Sequence, residues 1–141
     1  MSEPLRAGVK HSGEMIVTKD MTVPGNADRL PTFADMPEVL ATAFYVAFIE
    51  ATCLDLVRPF LQEGEHSVGT LVGVTHIAAT PIGMKVTAEV ELVEVDGRRL
   101  AFKVNCFDEV ENIGSGLHER FIINMERFMK KVGEKARIRT H

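Results

Sequence analysis

Residues 37–59, PEVLATAFYVAFIEATCLDLVRP, limit what this chain can fold into more than any other stretch. They are the only long segment with good helix-forming composition. They are also apolar nearly all the way round: Ala41, Phe44, Tyr45, Phe48, Ile49, Cys53, Leu54, Leu56 and Val57 leave little polar face. Such a helix needs cover on every side, from a large core or from lipid. A bilayer span needs roughly 20 unbroken apolar residues, and Glu50 and Asp55 interrupt this run between bounding prolines. The segment therefore reads as the core helix of a soluble domain, from about residue 38 or 40 to residue 57. Pro37 suits a first helical turn, and Pro59 stops the helix before it.

The rest of the chain must supply the cover. Its 141 residues suit a single domain spanning the whole sequence. A net charge of -4 argues against a nucleic-acid partner, which a basic surface would mark. Cys53 and Cys106 both lie in apolar segments, as free buried thiols do in a reducing compartment. No apolar run follows the first charges in MSEPLRAG, so no signal peptide is expected and the cytoplasm is the default location. No cysteine and histidine spacing suggests a metal.

Alternation of apolar and polar residues predicts about five strands, over residues 14–18, 67–80, 84–95, 98–107 and 113–128. Met84, Val86, Ala88, Val90 and Leu92 share one face, and Leu100, Phe102, Val104 and Cys106 face them across an Asp96-Gly97 hairpin turn. In the last strand Leu117, Phe121, Ile123 and Met125 share one parity. Residues 1–12 and 130–141 read as frayed termini. Consecutive hairpins make a mostly antiparallel sheet. The expected class is α+β, a curled sheet wrapped around one long helix. One sheet covers one side of that helix, and a second copy of the chain is the simplest cover for the other, so a homodimer is expected. Residues 23–36 hold Pro24, Gly25, Asn26 and Pro31 and read as a long connection. Its Phe33 and Met36 either form a lid or seal the near end of the helix.

Few residues stand out for chemistry. Glu50 is a carboxylate inside an apolar helix, where acidic side chains need a partner. His76 sits in VGVTHIAAT and is suited to moving protons near neutral pH. Thr42 lies eight residues before Glu50, about 12 Å along the axis and about 80° away in phase, so the two cannot touch on one helix. An intervening His76 or a partner chain would have to join them. Gly69 and Gly73 mark a strand bulge or a close approach, and the Gly69 N–H can serve an oxyanion. Arg120, in His118-Glu119-Arg120, points at a site or at solvent. Cys53 reads as core rather than nucleophile, and the basic residues of the tail as a solvated end.

Several stretches together carry a resemblance. FADMPEVLAT at residues 33–42 leads into Glu50. Gly69-Thr70, VTHIAATP at residues 74–81, DGRRL at residues 96–100 and IGSGLHER at residues 113–120 follow in order. In this arrangement the chain resembles the fluoroacetyl-CoA thioesterase family of hotdog-fold acyl-CoA hydrolases, over nearly its whole length. The resemblance implies a hotdog dimer that hydrolyses a short-chain acyl-CoA, with coenzyme A as part of the substrate and no separate cofactor. It implies Thr42, Glu50 and His76 as the catalytic set and the Gly69 N–H as oxyanion donor. Phe33 and Met36 then belong to a lid over the acyl group, and Arg120 to the substrate-binding residues. Met36 stands where the family pattern has a second phenylalanine, which leaves the acyl group open between fluoroacetyl and others. Thr42, Glu50 or water could be the nucleophile. Two rival functions are a hotdog acyl-CoA hydratase or dehydratase and a non-catalytic acyl-CoA sensor.

Overall fold

The computed structural model describes residues 4–139. A five-stranded antiparallel sheet holds β1 (Lys10–Ile16), β2 (Glu65–Val74), β3 (Lys85–Asp96), β4 (Arg99–Phe107) and β5 (Asn112–Asn124) in the order β1-β3-β4-β5-β2. Its concave face packs on helix α1 (Thr42–Val57). The α+β architecture expected from the sequence is the one observed.

The two middle strands follow the predicted alternation. Val86, Ala88, Val90 and Leu92 from β3, with Leu100, Phe102, Val104 and Cys106 from β4, are buried against Tyr45, Ile49, Cys53, Leu56 and Val57 of the helix. Each large apolar side chain so buried contributes about 1.5–3 kcal/mol. The hairpin between them turns at Gly97, whose φ of 62° suits a residue without a side chain.

Four expectations need correction. The first strand begins at Lys10, inside the segment read as frayed. It is an edge strand, and its exposed Lys10, His11 and Ser12 carry no apolar face to announce it. Strand β2 ends at Val74, so His76 lies beyond the strand rather than within it. In the second half of β5 Leu117 and Phe121 face outward, and His118 and Arg120 are buried, as Ile113 is near its start. The C-terminal segment is not frayed: α2 (Met125–Ile138) starts where the Asn124 side chain accepts a hydrogen bond from the Arg127 N–H at 2.9 Å. Residues 1–3 and 140–141 of the expected frayed ends lie outside the described residues. No helix among the described residues is long and apolar enough to cross a membrane.

Candidate active site

The long connection is a closed excursion. Short 3-10 turns at Lys19–Met21, Pro24–Asn26 and Pro31–Phe33 carry it, and bridges Thr22↔Leu40 and Val39↔Pro81 pin its root. The Met36 N–H bonds to the Phe33 carbonyl at 3.2 Å, which sets both side chains on one turn. Phe33 is half-buried and Met36 exposed. The root delivers the chain directly into α1, whose first residue is Thr42.

Thr42 meets His76 there. Its Oγ1 lies 2.8 Å from His76 Nδ1. The loop that carries His76 keeps its register with β5 through Thr75 N–H to Ser115 O and Ile77 N–H to Ile113 O, both 2.8 Å. Gly114 permits that approach, since a Cβ there would lie 2.0 Å from the Thr75 carbonyl oxygen. Tyr45, one turn after Thr42, supports the ring from below. It stacks on His76 with centroids 4.5 Å apart and donates its hydroxyl to the Thr75 carbonyl at 2.8 Å. Burial lowers the His76 pKa from its ordinary value, so the imidazole is neutral at pH 7 and able to accept a proton. Its Nε2 is buried without a partner among the described residues.

Glu50 belongs to a second cluster. Its carboxylate accepts from Arg120 Nη1 at 3.1 Å. Arg120 is only 3% exposed and is held on every side. Its Nε donates to Ser67 Oγ and its Nη2 to the Ser67 carbonyl, each at 2.8 Å. His118 completes the group, 3.1 Å from Arg120 Nη1 and 2.8 Å from the Leu71 carbonyl. Gly69 lies against these side chains at a bulge between Gly69 and Leu71: a Cβ there would come 2.9 Å from Glu50 Oε2, so a larger residue would push that carboxylate aside.

Within the chain, then, His76 does not bridge Thr42 and Glu50: it bonds Thr42, while Glu50 bonds Arg120. The predicted residues fall into two groups, Thr42 with His76 and Glu50 with Gly69 and Arg120. Both Gly69 and the helix face bearing Ala43, Ala47 and Ala51 are exposed, and the Glu50 side chain is 39% exposed beside them. Cys53 is no nucleophile, because burial pushes its thiol up to about 12. No metal-binding cluster occurs among the described residues. Tyr45, Ser67 and His118 were not singled out in the sequence. Tyr45 had one available signal, its position three residues after Thr42 on the same helix face.

A family model described as fluoroacetyl-CoA-specific thioesterase matches residues 17–126. The chain belongs to this family. It is 43% identical over 136 residues to the fluoroacetyl-CoA thioesterase of Streptantibioticus cattleyicolor, covering 96% of this chain and 98% of that protein. The solved structure of the fluoroacetyl-CoA thioesterase FlK superposes with a TM-score of 0.91 at 43% identity, over 94% of this chain and 98% of that one. A single-residue variant of FlK in complex with fluoroacetate and CoA superposes with a TM-score of 0.85 at 44% identity, over 88% and 99%. The hotdog fold of the family is the curled sheet and helix described above.

Proposed function

We propose that this protein is a single-domain acyl-CoA thioesterase that hydrolyses a short-chain acyl-CoA, fluoroacetyl-CoA among the candidates, to the free acid and CoA in the cytoplasm. Family membership supports the reaction class, and the hydrogen bond of 2.8 Å between Thr42 Oγ1 and His76 Nδ1 carries the assignment of residues. A hydroxyl beside a neutral imidazole is an activated nucleophile.

The chemistry follows from that contact. Thr42 Oγ attacks the thioester carbon and gives its proton to His76 Nδ1. The C–S bond then breaks, and His76 passes the proton to the departing CoA sulfur. Water next attacks the acyl-threonine ester with His76 again as base, which frees the acid and restores Thr42. Oxygen charge develops at each addition, and the Gly69 N–H stabilises it by about 3 kcal/mol if it behaves like other single donors. Glu50, fixed by Arg120, presents a carboxylate to the acyl end of the site. Phe33 and Met36 cover the acyl group, and Arg120 lines its pocket. The reaction needs no cofactor.

The partner in this reading is a second copy of the chain. The exposed alanine stripe of α1 and the exposed edge of β2 at residues 69–73 support an interface there. A two-fold across them can bring one protomer's Thr42 and His76 toward the other's Glu50 and Gly69. Neither nucleic acid nor membrane enters the scheme.

The deciding measurement is thiol release from acetyl-, fluoroacetyl-, propionyl- and longer acyl-CoAs, with sedimentation to read the assembly. Turnover is expected with a short acyl group. No thiol released from any of them would remove the hydrolase reading, and loss of an enoyl-CoA double bond in its place would establish a hydratase.

A further inference from the structure

His118 is completely buried on the concave face of β5, and both ring nitrogens are engaged. Nδ1 faces a backbone carbonyl, which can only accept, and Nε2 faces a guanidinium, which can only donate. The tautomer follows. Nδ1 carries the proton and gives it to Leu71 O, while Nε2 accepts from Arg120, so the ring is neutral. Burial acts in the same direction by lowering its pKa.

Its two partners straddle one residue. Leu71 closes the bulge in which β2 has an extra residue opposite β5, since Gly69 faces Arg120 and Leu71 already faces Glu119. On the near side of the bulge, Arg120 holds the carbonyl and hydroxyl of Ser67. The backbone is thus tied two residues before Gly69 and two residues after it. His118 makes the second tie directly and steadies the first through the guanidinium. Its Cε1 also lies 3.3 Å from where a Gly69 Cβ would be.

We propose that His118 is a positioning residue for thioester hydrolysis: its two hydrogen bonds fix the Gly69–Leu71 bulge that aims the Gly69 amide, and hold Arg120 against Glu50. This rests on the thioesterase reading and on Gly69 as the oxyanion donor. An oxyanion donor acts in the transition state, so its displacement lowers kcat and spares KM.

Three variants separate the two bonds. His118→Phe keeps a ring and removes both. His118→Asn keeps a donor near the position of Nδ1, and His118→Gln keeps an acceptor near that of Nε2. Each is assayed for kcat and KM on the acyl-CoA that the unaltered protein turns over best, alongside its melting temperature. The phenylalanine variant is expected to lose about tenfold or more in kcat, with KM changed by no more than about twofold. The asparagine variant is expected to regain most of that loss and to exceed the glutamine variant. A phenylalanine variant with unchanged kcat overturns the proposal, and so does a well-folded asparagine variant no faster than it. Should the phenylalanine variant not fold, the order of the other two decides, and asparagine at or below glutamine overturns it. If the unaltered protein releases no thiol, the thioesterase reading and the catalytic role fall together. The bulge is then read by NMR, where Gly69 and Thr70 amide shifts that stay put in all three variants overturn that part as well.

Discussion

The cluster around Thr42 and the cluster around Arg120 handle their polar groups in opposite ways. In the second, the Arg120 guanidinium, the His118 ring and the Ser67 carbonyl and hydroxyl all have partners. In the first, Thr42 and His76 share one bond and His76 Nε2 has no partner among the described residues. A buried polar group left unpaired costs about 1–3 kcal/mol. A fold tolerates that cost where a substrate or water completes the bonding. In the proposed reaction the saturated cluster is the framework that holds Glu50 and Gly69 in place, and the unsaturated one supplies the hydroxyl and the base.

Substitutions should separate the two clusters along this line. The largest effect is expected at the open cluster. Thr42→Ala and His76→Ala should each lower kcat by about 10²–10⁴-fold, as loss of a proton-transfer group does, with little change in melting temperature. Retained turnover in both would move the reacting groups elsewhere. Arg120→Met should cost roughly 3 kcal/mol in urea unfolding, because it strips the partners from Ser67, His118 and Glu50 at once, and should lower kcat as well through the loosened Gly69 bulge. A variant as stable as the unaltered protein would mean the saturated cluster is not a framework.

Titration of His76 gives a third contrast. Its folded pKa lies below its unfolded value near 6.5. The unfolded chain therefore binds more protons between the two values, and the stability contributed by the neutral ring is present above about pH 6.5 and is lost as pH falls toward the folded pKa. kcat/KM should fall on the acid side with an apparent pKa below 6.5, and an apparent pKa above it would contradict a buried neutral base. The smallest effect is expected for Tyr45→Phe, which keeps the stack on His76 and loses one bond to the Thr75 carbonyl. It should cost about 1 kcal/mol of stability, and a kcat loss above about tenfold would assign the hydroxyl a chemical role.

The two middle strands were legible because their burial is periodic, and the helix because it is one long apolar run. Burial on one face of β3 and β4 writes itself as strict alternation, and the helix between prolines admits no other reading. The edge strand β1 was partly hidden because Lys10, His11 and Ser12 face solvent and obey no apolar period. Strand β5 misled for the opposite reason. Its buried face holds His118 and Arg120, whose cost of burial is offset by partners that are 47 and 53 residues away in the chain. No local pattern can announce a bond of that span. Helix α2 did carry signals, namely Asn124 as N-cap, Glu126 in the first turn and Lys135 and Arg137 in the last, against a background too polar to suggest packing. At the site, Thr42, Glu50 and His76 stood out because each residue type is unusual in its setting. Their division into two groups did not, since that depends on which side chain Arg120 reaches.

The pinned root of the residue 23–39 excursion has an evolutionary consequence. The Leu40 N–H bonds to Thr80 O and the Ala41 N–H to Met21 O, both at 2.9 Å, immediately before Thr42. Mutational drift at the tip, where Phe33 and Met36 lie, is insulated by those bonds from the residue that begins α1. Even doubling the length of such a loop costs only about 0.6 kcal/mol in closure entropy. Residues at the tip can thus change without moving the Thr42 hydroxyl or the His76 imidazole bonded to it.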